Sequence, residues 1–509
     1  MSLLDLPPEL LRQVIVESMP EGFESLLLSC RPIYDCGKSL IALHNTRKEE
    51  WEHVDFDKYF DYMPAFSWLL RVTDEPVLLR YIKSANFRSY SEVSLIFGRL
   101  QWDDAALNRI KKFIEESPYL RKAEHVDPQK WADMAFDNVG SFNRYLSLMT
   151  TFFLTLLPNV ETLALSEAVI NFVIQPSTGT QRHNFVPEVW SVMEAIRETA
   201  EANPKGASLG KLTELRIERL NSYTPELDLQ TLSPFLVLPN LITLYVSSCV
   251  AIGDGPVGAG YRWHYPDISS GLRTIDLQCT CMDITSLSQL LSHTPHLISF
   301  KCGYALNAQE SQCGWDAGTF IATVGEHVGS HLEELDIRES ILADENYDEF
   351  IPMKTLADGI VTGVTSMTEF TKLKSLRIPA GLFCGPSVES GERRGKDYTP
   401  PREGFMPWTI EYIPPLAPML PPSLEALTIV ISIEAHTDTA EVIKKLFVNF
   451  AADRQRRLPN LKSIDIFNTA HGLYTKEHAS IRASVAPAGA VCSFDAYNAI
   501  EEYYFSQAR

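Results

Sequence analysis

The chain of 509 residues contains no apolar run long enough to cross a bilayer; the longest, around Met149–Pro158, is short and interrupted by threonine. It also lacks basic excess. Forty-five Lys plus Arg stand against 65 Asp plus Glu, a formal charge of −20, and no basic stripe stands out, which argues against nucleic-acid binding as the main task. No Asn-x-Ser/Thr sequon occurs, and the nine cysteines are odd in number and scattered, so a reducing, intracellular setting is expected. The first residues have neither a basic region nor a long apolar core, so no signal peptide is expected there. No H-E-x-x-H or G-x-x-x-x-G-K-[ST] motif is present, which removes the local signatures of zinc proteases and P-loop enzymes. What remains, 45% hydrophobic and 22% charged residues, is ordinary globular composition, and the length suggests two or three structural units.

The first 45 residues carry the most local information. Asp5 reads as an N-cap, and Pro7 and Pro8 suit a first helical turn, where backbone N–H groups have no intrahelical partner. Leu10, Leu11, Val14, Ile15 and Met19 recur at helical spacing, and Pro20 and Gly22 stop the run. A second short helix is expected over Phe23–Leu28 and a third over Ile33–Asn45. Three such helices cannot bury much of their own apolar surface, and leftover apolar surface on a small helical unit usually means a partner.

The run Leu6-Pro7-Pro8-Glu9-Leu10-Leu11, the pair Val14-Ile15 and the step Leu28-Ser29-Cys30-Arg31 before Tyr34 resemble an F-box over residues 3–45. Pro32 and Ile33 depart from the pattern, which more often has a basic or polar residue and an aromatic there. The resemblance implies docking onto a Skp1-type adaptor, and through it a cullin, by Leu6, Pro7, Leu10, Leu11, Val14, Ile15, Leu28, Cys30 and Tyr34. The competing reading is an amphipathic N-terminal helix that simply packs on the rest of the chain.

Residues 49–150 read as a mostly helical linker or cap. Leu78–Ile82 fits either a strand or a helix end. A helix is expected from Asp103, with Leu107, Ile110, Phe113 and Ile114 on one face, and others over 128–136 and 141–156. Trp51, Phe56, Tyr59, Phe60, Tyr62, Phe66 and Trp68 form an aromatic cluster with no interleaved basic residues, so packing is favoured over base stacking.

From residue 151 onward a core of the form L-x-x-L-x-L recurs nine times, starting at Val160, Leu212, Leu241, Leu272, Leu297, Leu332, Leu373, Leu424 and Leu461. Three copies carry a Leu-Pro-Asn lead, at Leu157, Leu238 and Leu458. The starts lie 52, 29, 31, 25, 35, 41, 51 and 37 residues apart, longer and less regular than the roughly 20–29 residues of standard repeats. Helical patterns lie between them over Val186–Ala202, Ile284–Ser292, Ala317–Gly329 and Thr439–Asp453. The pattern resembles divergent leucine-rich-repeat proteins. It implies an α/β fold: a small N-terminal helical F-box (1–48), a helical linker (49–150) and an irregular repeat solenoid with a parallel sheet (151–509). Pro379–Pro422 interrupts it with ten prolines and reads as a long exposed loop, disordered over 386–404, with Phe405–Leu420, including Trp408 and Tyr412, packing back.

Two further patterns suggest chemistry. Gly253–Gly258 fits G-x-G-x-x-G with Asp276 downstream, but Ala259–Gly271 carries Pro266 and no apolar period, so no helix N-terminus is expected to meet a phosphate. Cys279, Cys281, His293 and His296 are zinc-ligand types, but a single residue between the cysteines is too few for a finger. No cofactor, metal, catalytic residue, nucleic acid or membrane is expected.

An F-box followed by such repeats resembles a substrate-receptor subunit of an SCF-type ubiquitin ligase, particularly of the divergent fungal type, working in the cytoplasm or nucleus. Such a subunit is not itself an enzyme; it holds an as yet unidentified protein target. Two alternatives stay open. One is an F-box scaffold that does not promote degradation, and the other an enzyme or small-ligand receptor with an internal polar pocket.

Overall fold

A computed structural model describes residues 3–55, 64–87, 103–136, 142–166, 187–218, 227–253, 260–305, 315–340, 361–385, 387–388, 410–431, 439–468 and 475–493. The expected disordered stretch at 386–404, apart from Ser387 and Val388, lies outside these residues, as do Phe56, Tyr59, Phe60, Tyr62, Trp408 and positions 254–259. The fold is mixed α/β with parallel strands, and no helix among the described residues is long and apolar enough to cross a membrane. The chain divides into two compact units, residues 1–221 with 231–245, and residues 222–230 with 246–509. This division does not coincide with the expected boundaries at 48 and 150.

The first unit opens with α1 (Pro8–Glu17), α2 (Phe23–Ser29), α3 (Arg31–Gly37) and α4 (Ile41–Trp51). The single helix expected over Ile33–Asn45 is therefore two, joined by one 3-10 turn at Lys38–Leu40, and the second runs on to Trp51. Then follow β1 (His53–Asp55), α5 (Pro64–Asp74) and β2 (Ser84–Phe87). Leu78–Tyr81 belongs to a 3-10 helix, Pro76–Tyr81, rather than to a strand. Four helices come next, α6 (Asp104–Glu115), α7 (Pro118–Lys122), α8 (Pro128–Phe136) and α9 (Phe142–Leu154). The unit continues with β3 (Thr162–Ser166), α10 (Pro187–Ala202), β4 (Glu214–Glu218), α11 (Ser233–Leu236) and β5 (Thr243–Val246). Asp103 caps α6 by accepting from Ala105 N at 3.2 Å, and Ile110 and Ile114 are buried as the stripe requires.

Residues 49–150 are more than a helical linker, because β1 and β2 precede β3 in the sheet order β1-β2-β3-β4-β5. Their sequences keep the spacing but not the residue types: Trp51-x-x-Val54 and Ile82-x-x-Ala85-x-Phe87, all buried.

The second unit contains β6 (Cys249–Ala251), β7 (Thr274–Met282), α12 (Ile284–Ser292), β8 (Ser299–Ala305), α13 (Ala317–Val328), β9 (Glu334–Ser340) and β10 (Ser375–Pro379). It goes on through β11 (Ala426–Ile431), α14 (Thr439–Leu446), α15 (Phe450–Arg457), β12 (Ser463–Asn468), α16 (Thr475–Val485) and β13 (Val491–Ser493). Strands β7 to β13 pair in chain order, and β6 lies beside β7. All nine L-x-x-L-x-L cores coincide with strands β3 to β5 and β7 to β12. The helix expected over Thr439–Asp453 is broken where Asn449 adopts φ +57°.

One backbone device recurs in both units. A single carbonyl accepts from two successive N–H groups of the next repeat, as Glu161 O does from Thr213 and Glu214, and Lys374 O from Glu425 and Ala426. The Leu-Pro-Asn lead adds a second rung. Asn159, Asn240 and Asn460 each donate Nδ2 to a carbonyl of the preceding repeat, Arg80 O (2.6 Å), Gly210 O (2.7 Å) and Pro422 O (3.1 Å). Each acceptor lies two residues before the first apolar residue of its own repeat. The asparagine side chain thus supplies a donor next to Pro158, Pro239 or Pro459, which has no backbone N–H of its own.

The insertion Pro379–Pro422 departs from expectation at its start. Ala380, Leu382, Phe383 and Cys384 are buried, and Val364 N donates to Leu382 O at 2.8 Å. Gly363 and Gly385 pass so closely that a Cβ on either would meet the other's backbone within 3.0 Å, so both positions need glycine. At its end Ile413, Leu416, Ala417, Met419 and Leu420 are buried while Tyr412 stays exposed, so the described part packs back as expected.

Candidate partner-docking site

The N-terminal bundle has two apolar faces. Helix α1 begins without a side-chain cap: Pro7 occupies the cap position, Pro8 the first turn, and Leu11 N donates to Pro7 O at 2.9 Å. Asp5 lies one turn earlier in a 3-10 helix, Leu3–Asp5, and is not the cap. At 100° per residue, Leu11, Ile15 and Met19 fall on one side and Leu10 and Val14 on the next. The first set is buried, Leu11 at 4% and Ile15 at 0% exposure, with Phe23, Leu27, Ile33 and Leu40 completing the core. Gly37 lets α3 close on that core, since a Cβ there would lie 2.2 Å from Leu27 Cδ2 and 3.2 Å from Ile15 Cγ2.

The second face is open. Leu10 is 49% exposed, Leu28 83% and Tyr34 44%, with Val14, Leu3, Leu4, Val16 and Leu43 exposed as well. Pro7 is exposed, and Leu6 and Cys30 are half-buried. The nine residues assigned to docking therefore split. Leu10, Val14, Leu28, Tyr34 and Pro7 face solvent, Leu6 and Cys30 lie at the margin, and Leu11 and Ile15 are corrected to core residues because the bundle has already consumed their surface. The two departures fit the helix: Pro32 occupies the first turn of α3 and Ile33 is buried beneath it. Sequence reasoning missed that Leu3, Leu4, Val16 and Leu43 are exposed as well.

The bundle is held to the first repeats by other residues. Arg80 donates through Nη2 and Nε to Glu21 at 2.5 and 3.3 Å, and through Nη1 to Glu17 O at 3.3 Å. Asn159 reaches the same carboxylate, its Nδ2 donating to Glu21 Oε1 at 2.6 Å, and Lys211 donates to Asn159 Oδ1 at 2.6 Å. Burial raises the Glu21 carboxyl, but the bonds from Asn159 and Arg80 outweigh it and leave the group below its ordinary value. His44, 2% exposed, bridges Tyr81 Oη (3.0 Å) and Glu24 (3.4 Å) and packs on Phe23 at 4.5 Å. Its pKa is lowered because burial disfavours the cation more than Glu24 favours it. Arg47 pairs with Glu75 at 2.9 Å and Arg71 with Glu50 at 2.6 Å.

The remaining candidates dissolve into packing. Trp51 and Trp68 lie 5.8 Å apart, with Arg71 over Trp51 and Trp68 edge-on to Phe153. Gly253 N donates to Asp283 Oδ2 at 2.5 Å, while Asp283 Oδ1 caps α12 by accepting from Ser286 N, and residues 260–271 form no helix. Cys281 is buried, His293 stacks on Trp263 at 4.7 Å, and His296 is exposed. Among the described residues no group of three His, Cys, Asp or Glu side chains converges as a metal-ligand set. Comparison with known proteins finds no matching family model and no significantly similar curated protein.

Proposed function

We propose that this protein is the substrate-receptor subunit of an SCF-type ubiquitin ligase, its N-terminal bundle an F-box that docks a Skp1-type adaptor and its strand repeats a leucine-rich solenoid that holds a protein target. The supporting observation is the open apolar face, with Leu10, Val14, Leu28 and Tyr34 exposed at motif positions while the bundle's own core is complete without them. The chain then acts by proximity. No side chain need perform covalent chemistry, because holding the target beside the transferring subunits makes ubiquitin transfer effectively intramolecular. A specific contact of ordinary size buries about 1,600 Å² in total, more than the bundle's exposed leucines alone supply, so the polar rim around them takes part.

The test is affinity purification of the tagged full chain with peptide identification, comparing wild type with Leu10→Asp. Adaptor and cullin peptides should accompany the wild type and vanish from the variant, while far-UV circular dichroism is unchanged. Equal recovery from both overturns the docking assignment. Target half-lives measured with and without the protein separate a degradation receptor from a scaffold, because a receptor shortens one of them.

A further inference from the structure

The buried His44 has a partner on each ring nitrogen, and the two partners belong to different elements. From α4 the ring packs on Phe23 of α2 and reaches Tyr81 in the 3-10 helix Pro76–Tyr81. Tyr81 is 3% exposed, and burial keeps the proton on its phenol. The Tyr81 oxygen already accepts from Arg47, so its own proton turns to His44 Nδ1, 3.0 Å away. An accepting Nδ1 leaves the ring proton of a neutral imidazole on Nε2, which donates to Glu24 Oε1 at 3.4 Å. The hydrogen bonds thus run one way, from Arg47 through Tyr81 and His44 to Glu24.

A second ring proton breaks this order. Placed on Nδ1, it turns the Tyr81 hydroxyl away and puts a buried cation close to Arg47 and Lys48 of the same helix. The carboxylates around the junction are already engaged by other cations. Glu24 faces the ring but is shared with Lys48 at 3.4 Å, Glu75 pairs with Arg47, and Glu21 pairs with Arg80. The same two helices carry part of the open face. Helix α2, which brings Phe23 and Glu24 to the ring, presents Leu28 one turn further on, and α4 presents Leu43 next to His44.

We propose that His44 is an acid-sensitive latch: its neutral ring ties α2 and α4 to the 3-10 helix of the first repeats, and a proton on Nδ1 opens that contact and weakens adaptor docking through Leu28. Docking favours the latched form, in which α2 is held at both Phe23 and Glu24, so a proton taken up by the open form competes with the adaptor. The adaptor half of the inference rests on the docking reading; the latch itself does not.

The test is titration of the full chain with one purified Skp1-type adaptor between about pH 7.5 and about pH 5.5. Wild-type affinity should fall about 5-fold over that range, within the roughly 10-fold per pH unit that one proton allows. H44Q and Y81F should each hold affinity within about 2-fold, because the first removes the titrating ring and the second the donor that opposes its protonation. H53Q, at an exposed histidine outside the relay, should keep the wild-type fall, and the adaptor's own titration cancels because it is common to all four proteins. Y81F carries the test if H44Q fails to fold. A wild-type profile without a fall, or a fall that Y81F retains, overturns the proposal. Nitrogen NMR of the histidine rings in the free chain reads the latch without the adaptor: the signal displaced by Y81F should show a bare Nδ1 and a protonated Nε2 at neutral pH, and a proton on Nδ1 overturns the latch. An adaptor that binds at no pH removes the docking reading alone, and the ring signal then decides the latch.

Discussion

The N-terminal bundle and the strand ladder β7–β12 use the same leucines and isoleucines to opposite ends. In the ladder, each of the six repeats places three apolar motif residues inward, and none exceeds 5% exposure. Each repeat has a neighbour to cover it, so the ladder's apolar surface is spent within the unit. In α1–α4 only one of two apolar faces is spent. Leu11, Ile15, Phe23, Leu27 and Ile33 make a core, and Leu10, Val14 and Leu28, in the same helices, stay in solvent. The difference shows that apolar periodicity alone does not say whether surface serves folding or binding; what decides is whether the chain supplies something to cover it.

The sharpest way to break this comparison is to truncate matched residues. Leu335→Ala and Ile15→Ala, both at fully buried positions, should each cost about 2–5 kcal/mol in denaturant unfolding. Leu10→Ala and Leu28→Ala should stay within about 0.5 kcal/mol of wild type, because both side chains are exposed among the described residues. A loss at Leu28 equal to that at Ile15 would show that the open face is folded against its own polypeptide.

A smaller effect separates the three asparagines. Asn159 is buried and shared with Glu21 and Lys211, so Asn159→Ala should destabilise by about 1–3 kcal/mol. Asn240→Ala and Asn460→Ala, whose side chains make that one repeat-to-repeat bond among the described residues, should cost about 1 kcal/mol or less by the same denaturant unfolding.

Acidification should loosen the bundle. His44 has a folded pKa below its ordinary 6.5, so the unfolded chain binds more protons, and the stability it contributes is full above 6.5 and lost as pH falls below it. Glu21, lowered from 4.5, adds a loss of the same sign further down. Protection factors in α1–α4, with intrinsic exchange divided out, should therefore fall between pH 7 and 5, and His44→Gln should flatten that fall. The smallest effect belongs to the exposed pairs Glu333–Lys374 and Glu425–Lys462, for which Lys374→Met should leave the melting temperature unchanged.

How much of this was legible in the sequence follows the same physics. Nine strands announced themselves because leucine and isoleucine recur at fixed spacing wherever a neighbour repeat covers them. Strands β1 and β2 did not, since Trp51, Ala85 and Phe87 fill the same inward positions with unlike shapes, and β1 and β13 are three residues long. The buried start of the 379–422 insertion was hidden by composition: its Gly385 permits close backbone approach to Gly363, yet such a glycine reads as a loop when only residue types are counted. The docking motif was visible, but not which of its residues faces outward, because Leu10 and Leu11 are adjacent in sequence and 100° apart on the helix. The Glu21–Arg80–Asn159 junction spans 138 residues and left no local signal.

The most direct measurement is calorimetric titration of the purified full chain with a purified Skp1-type adaptor, using wild type and the double variant Leu10→Asp/Leu28→Asp. The account predicts saturable one-to-one binding by the wild type and a loss of at least about 30-fold in the double variant, equivalent to about 2 kcal/mol, with the unfolding midpoint unmoved. Wild-type protein that does not bind, or a double variant that binds equally well, would contradict it.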